Sequence, residues 1–156
     1  MQDEQTKKCK DWDERGCRYA VSLLPKEWNV YLSHTEDAFC TVDLYGEINN
    51  EPSVVEVKNR RVTYDTYDSI MIDLKKVRNL YKTARDAQGK PFIFSSYKDG
   101  VWVFSSSIED FPVDKIKEWT TTYTIPHTVT VDESTPPITK QVVLFPKEAG
   151  TFYAKE

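Results

Sequence analysis

Asp43-Leu44-Tyr45-Gly46-Glu47-Ile48-Asn49-Asn50-Glu51-Pro52-Ser53-Val54-Val55-Glu56-Val57-Lys58 consists of two apolar, strand-like runs joined by a polar turn. Each run carries a carboxylate where its strand ends or passes through a core. Glu56 and Lys58 are two residues apart, so on a strand they point to the same face. Asp43 is expected on the neighbouring strand. Two acids and a lysine converging at a strand end can hold a divalent cation and position a water. A charged pair inside the β-branched run Val54-Val55-Glu56-Val57-Lys58 needs a reason. The alternative reason is a half-exposed strand that alternates Val-Glu-Val-Lys and carries a cross-strand ion pair.

The chain holds a second acid-any-lysine triplet, Asp73-Leu74-Lys75, which serves as a control. Around it Ile70, Leu74, Val77, Leu80 and Tyr81 recur at helical spacing. This predicts a helix over about 68–88, capped by Asp68-Ser69 and ended by Gly89 before Lys90-Pro91. Asp73 and Lys75 would then sit on an exposed helix flank. Downstream, Pro91–Tyr97 and Val101–Phe104 read as a strand pair turned by Asp99-Gly100. Upstream, a first helix starts near Glu14, and residues 24–33 hold its exit and a first strand. Glu47 offers an extra acid near the turn, though Gly46-Glu47-Ile48-Asn49-Asn50 reads rather as the hairpin connection.

The spaced Asp43, the Glu56-Val57-Lys58 triplet and the α-β-β-α-β order around them resemble the PD-(D/E)xK nuclease superfamily, over roughly residues 14–104. Val42 stands where that pattern often has a proline. The resemblance implies an α/β fold of restriction-endonuclease-like type. This is an αβββαβ core with a mixed central sheet flanked by helices, here followed by a β-rich C-terminal extension. One domain is expected over residues 1–156, with its core at about 11–110 and the extension at about 111–156. Members similar to archaeal Holliday-junction resolvases carry a further acid early in the first helix. Glu14 is the match, with Asp11, Asp13 and Glu27 as competitors. A solvated helix-start acid is the plain alternative.

The resemblance implies a Mg²⁺- or Mn²⁺-dependent endodeoxyribonuclease with Asp43, Glu56, Lys58 and Glu14 as catalytic residues. Asp43, Glu56 and the backbone carbonyl of Val57 would ligate the ion, since Mg²⁺ favours hard oxygen donors and keeps several waters. Lys58 would orient or deprotonate the attacking water, or stabilise the phosphate. Arg60 and Arg61 follow the triplet directly, and Lys75 and Arg78 lie on the next helix. These four are the expected DNA contacts. Lys76 and Arg85 read as a solvated helix face. Small size favours recognition of DNA structure, as in resolvases, or a phage or mobile-element nuclease. The competing class is a non-catalytic nucleic-acid or protein-binding module on the same scaffold.

Composition bounds these readings. The 156 residues are 39% hydrophobic and 13% aromatic, which gives a globular chain. The net charge of -4 excludes a nucleic-acid coat protein held by global attraction. Three cysteines, Cys9, Cys17 and Cys40, and the absence of a signal peptide point to free thiols in a reducing cytoplasm. A zinc site from Cys9, Cys17, His34 and Cys40 is disfavoured by spacing. His34 and His127 read as surface or loop residues. No run is long enough to cross a membrane, and no glycine-rich phosphate loop is present. Phe92, Phe94, Tyr97, Trp102 and Phe104 could stack bases, as RNA binding would use, but alternate sheet positions favour a core.

In the extension, Pro112–Trp119 predicts a short helix, and Thr120–Pro126 and Lys140–Phe145 predict strands around a loop at Asp132–Pro137. The extension could add strands to the sheet, form a homodimer contact, or fold over a DNA-binding cleft. Resolvase-like action would require a symmetric dimer.

Overall fold

The computed structural model describes residues 15–35, 42–124 and 139–156. In chain order these form α1 (15–22), β1 (Val30–His34), β2 (Leu44–Ile48), β3 (Glu51–Asn59), β4 (Ser69–Asp73), α2 (Leu74–Ala87), β5 (Lys90–Tyr97) and β6 (Gly100–Ser105). Then follow α3 (Val113–Trp119), β7 (Thr120–Thr124), β8 (Thr139–Pro146) and β9 (Thr151–Ala154).

Six strands form a central mixed sheet in the order β1-β2-β3-β5-β6-β9, in which only β3 and β5 run parallel. A parallel pair needs a long crossover, and β4 with α2 supplies it. The β2–β3 turn is two residues, Asn49 and Asn50, both at positive φ, a backbone that asparagine tolerates and that matches strand twist. Gly46 admits the close approach of β1: a Cβ there would lie 2.0 Å from the Tyr31 carbonyl oxygen.

Both faces of β5 are buried, as expected of a strand with a parallel partner. On one face Val55, Phe92, Phe94 and Val101 pack with Cys17, Ala20 and Leu24. On the other, Val54, Ile93, Trp102 and Phe104 pack with Val77 and Leu80 of α2 and with Ile70, Val143 and Phe145. The strand-pair aromatics are therefore core, not a stacking surface. β3 alternates between the two: Val55 points to the α1 side, and Val54 and Glu56 to the α2 side.

Three expectations are corrected. The helix predicted over 68–88 begins only at Leu74, because Ser69–Asp73 is a strand, paired antiparallel with β8 in a second sheet of order β4-β8-β7. Ile70 and Ile72 alternate into the core there, a period of two that fits the same apolar residues. Asp73 is not on a helix flank; it is the N-cap of α2, and its Oδ1 accepts from the Lys75 amide at 2.9 Å. His34 is half-buried at the end of β1 rather than in a loop. The helix end was legible: Gln88 takes the left-handed conformation and the Gly89 amide donates to the Ala84 carbonyl. The extension divides, with β9 extending the central sheet beside β6 and β7–β8 pairing with β4.

Candidate active site

Asp43 sits in the bend just before β2, not within a strand. Its backbone is clamped from both sides. The Asp43 amide donates to the Val55 carbonyl at 3.1 Å, and the Thr35 amide donates to the Asp43 carbonyl at 3.1 Å. Its Oδ2 accepts from the Val57 amide at 2.8 Å. The side chain is thereby fixed beside the strand that carries Glu56.

Glu56 is 3% exposed and lies between two partners. Its carboxyl is hydrogen-bonded to Asp43, and the Lys76 Nζ lies 3.2 Å from its Oε1. Burial and the Asp43 carboxylate push its pKa up to about 8, against the opposing pull of Lys76. That shift favours the protonated form of Glu56 near neutral pH. Lys58 follows on the same face of β3. Burial, then the neighbouring Arg60, Lys76 and Lys140 cations, hold its pKa below the usual lysine value, while Glu56 opposes them. Lys58 is open to solvent on its outer side, so this shift is a modest bias toward the neutral amine.

These groups border two clefts. One, of about 190 Å³, is lined by Gly16, Cys17, Asp43, Val57, Lys58, Asn59 and Lys76. Gly16 lets α1 approach it: a Cβ there would lie 3.3 Å from the side-chain Nδ2 of Asn59. The other, of about 170 Å³, is bounded by Glu56, Lys58, Arg60, Lys76, Tyr123 and Lys140, with Asp73 and the β4 residues Met71 and Ile72.

The expected residues divide accordingly. Asp43, Glu56, Val57 and Lys58 come together. Arg60 borders the second cleft, half-buried, with its guanidinium donating to the Met71 carbonyl. Arg61 is exposed and lines neither cleft. Lys75 is exposed in the first turn of α2, and Arg78 borders an apolar groove between α2 and α3. Glu14 lies outside the described residues, as do Asp11, Asp13, Cys9, Cys40 and His127. Cys17 and His34 border a separate cleft of about 470 Å³.

Lys76 is exposed on α2, as its reading as a solvated helix residue has it, but that reading missed its ion pair with the buried Glu56. With α2 starting at Leu74, Lys76 falls in the first turn, beside the β3 carboxylate. Tyr123 and Lys140 were missed altogether, and no local signal could have found them, since both reach the site through pairing of β7 and β8.

The donor set fits a divalent cation. Burial and the Asp43 carboxylate together favour the proton on Glu56 over the pull of Lys76; a hard ion between the two carboxyls would take the proton's place. Among the described residues no group of three or more His, Cys, Asp or Glu side chains could hold a metal. The Asp43 and Glu56 carboxyls are hard oxygen donors of the kind that hold such a cation.

Fold and site together describe a mixed α/β protein with a carboxylate pair and two lysines at the end of a central strand. No protein-family model matches the chain, and no curated protein does. Among solved structures, the chain is similar to Hjc, a Holliday junction resolvase from the archaeal hyperthermophile Archaeoglobus fulgidus. The match has 12% identity, covers 81% of this chain and 86% of that one, and has a TM-score of 0.43. At that distance the likeness carries no functional weight, and the reading below rests on this chain's own residues. No helix among the described residues is long and apolar enough to cross a membrane.

Proposed function

We propose that the protein is a metal-dependent nuclease that hydrolyses DNA phosphodiester bonds. One observation carries the reading. Asp43 and Glu56, 13 residues apart in the chain, are hydrogen-bonded to each other with Lys76 on Glu56 and Lys58 two residues along the same face. A purely structural ion pair needs Glu56 and Lys76 alone. It gives no reason to set a second, half-buried acid against Glu56, where the two repel whenever both are ionised.

Asp43, Glu56 and backbone oxygen at Val57 would hold Mg²⁺ or Mn²⁺. Such an ion, when bound, lowers the pKa of a water and stabilises charge on the phosphate. The chain's own groups do the rest. The Val57 amide fixes the Asp43 carboxylate. Lys76 offsets the negative charge of Glu56 once its proton is gone. Lys58, biased toward the neutral amine by burial and by three cations, can accept a proton from an attacking water at its Nζ or, when charged, neutralise the phosphate. Glu14, outside the described residues, is the further acid this reading would use.

The test is cleavage of supercoiled plasmid and of branched DNA with Mg²⁺ or Mn²⁺, with Lys58→Ala and Asp43→Ala beside the parent. The expected result is metal-dependent nicking by the parent, lowered by about 100-fold or more in both variants, the scale of a lost general base or metal ligand. A folded parent that is inert on every DNA and RNA substrate would leave the site structural and favour a binding module.

A further inference from the structure

The second cleft has a composition that the cleavage chemistry does not need. Lys58 and Arg60 project from β3 and its exit, Lys76 from α2, and Lys140 and Tyr123 from the second sheet. Tyr123 and Lys140 are directly opposite in the β7–β8 register, so both side chains stand on one face of that sheet. Val142, two residues along β8 from Lys140, borders the same cleft. The second sheet thus turns a cation and a phenol toward the outer flank of Lys58.

The facing acids are Glu56 and Asp73. Glu56 is engaged by Asp43 and Lys76, and Asp73 lies 3.7 Å from Lys140 through its Oδ2. Four cations, Lys58, Arg60, Lys76 and Lys140, against two acids leave the cleft positive. Such an excess in a chain of net charge -4 calls for an anion. Arg60 spends part of its fork on the Met71 carbonyl and keeps further N–H donors. Arginine, lysine and a tyrosine hydroxyl are the donors that contact backbone phosphates.

We propose that β7 and β8 complete a phosphate subsite in which Lys140, Arg60 and Tyr123 hold a DNA backbone phosphate neighbouring the one cleaved at Asp43 and Glu56. This rests on the nuclease reading, and it gives the C-terminal extension the task of positioning the strand. It makes these three positioning residues; none touches the reacting atoms. Lys140 is the informative position, because its ion pair with Asp73 is half-exposed and its loss leaves the core untouched.

The experiment measures binding of a fluorescently labelled DNA duplex by anisotropy across a salt series, with Ca²⁺ in place of Mg²⁺, and cleavage rates at saturating and limiting DNA. Lys140→Gln should weaken binding for any sequence and reduce the slope of log affinity against log salt by about one phosphate contact. The loss should appear in KM more than in kcat, and Lys140→Arg should restore it. Asp73→Asn, which keeps a capping side chain but removes one of the cleft's two acids, should bind more tightly than the parent. Lys115→Gln, on the exposed face of α3, is the control. A cleaving parent whose salt slope is unchanged by Lys140→Gln and whose affinity is unchanged by Asp73→Asn would overturn the subsite and leave the nuclease standing. A parent that neither binds nor cuts DNA would remove both.

Discussion

Glu56 is the residue on which the site turns, and its proton is measurable. In the folded chain its pKa lies near 8, against 4.5 for an ordinary glutamate. Between those values the folded state holds a proton that the unfolded chain has released. The contribution of Glu56 to the stability of the metal-free protein then falls as pH rises from about 4.5 to about 8. Glu56→Gln keeps the shape and a donor toward Asp43 but has no proton to lose. Melting temperature against pH should decline through that window for the parent and stay flatter for Glu56→Gln, leaving the variant more stable at the alkaline end. Equal slopes would mean that Glu56 is ionised throughout. At this scale much was legible in the sequence. A charged pair two apart in a valine run already placed Glu56 and Lys58 on one face. Lys76 was hidden because a lysine beside buried leucine and valine in a helix reads as its solvated edge until the helix start is known.

At the scale of elements, the decisive segment is Ser69-Ile70-Met71-Ile72-Asp73. Two isoleucines two apart, followed by Leu74 and Val77, satisfy strand and helix spacing alike. Pairing with β8 decides between them, and that partner lies some 70 residues away in the chain. Asp73 consequently ends a strand and caps a helix at once. Asp73→Ala should cost about 1 kcal/mol of stability in urea unfolding, the usual loss for an N-cap, with Asp73→Asn closer to the parent. Equal effects of the two would show that the cap bond is not made. The Asp99-Gly100 hairpin, by contrast, was readable from its turn chemistry, whereas the first turn was read too long: Gly46, Glu47 and Ile48 belong to β2 and only Asn49-Asn50 turn the chain.

At the scale of the molecule, the two sheets share one core. Phe145 of β8 is fully buried and packs against Trp102, Phe104 and Trp119, with ring centroids 5.3–5.9 Å apart. The Trp102 indole N–H, also fully buried, donates to the Lys147 carbonyl at 2.9 Å, tying the end of the second sheet to the first. Phe145→Ala should therefore destabilise the protein by about 3–5 kcal/mol in denaturant unfolding. Loss of less than about 1 kcal/mol would mean that the second sheet is not part of that core. No spacing in the sequence announces this joint, which depends on strands distant in the chain, and so the extension's position over one flank of Lys58 emerged only from the fold.

The most direct measurement is calorimetric titration of the metal-free protein with Mn²⁺ near neutral pH, in buffers of differing ionisation heat, for the parent and Asp43→Asn. If Asp43 and Glu56 hold the cation, the parent binds Mn²⁺ and releases about one proton per ion, because binding requires the carboxylate form, and Asp43→Asn loses the affinity. Absence of Mn²⁺ uptake by the folded parent, or uptake without proton release that Asp43→Asn leaves unchanged, would contradict the assignment.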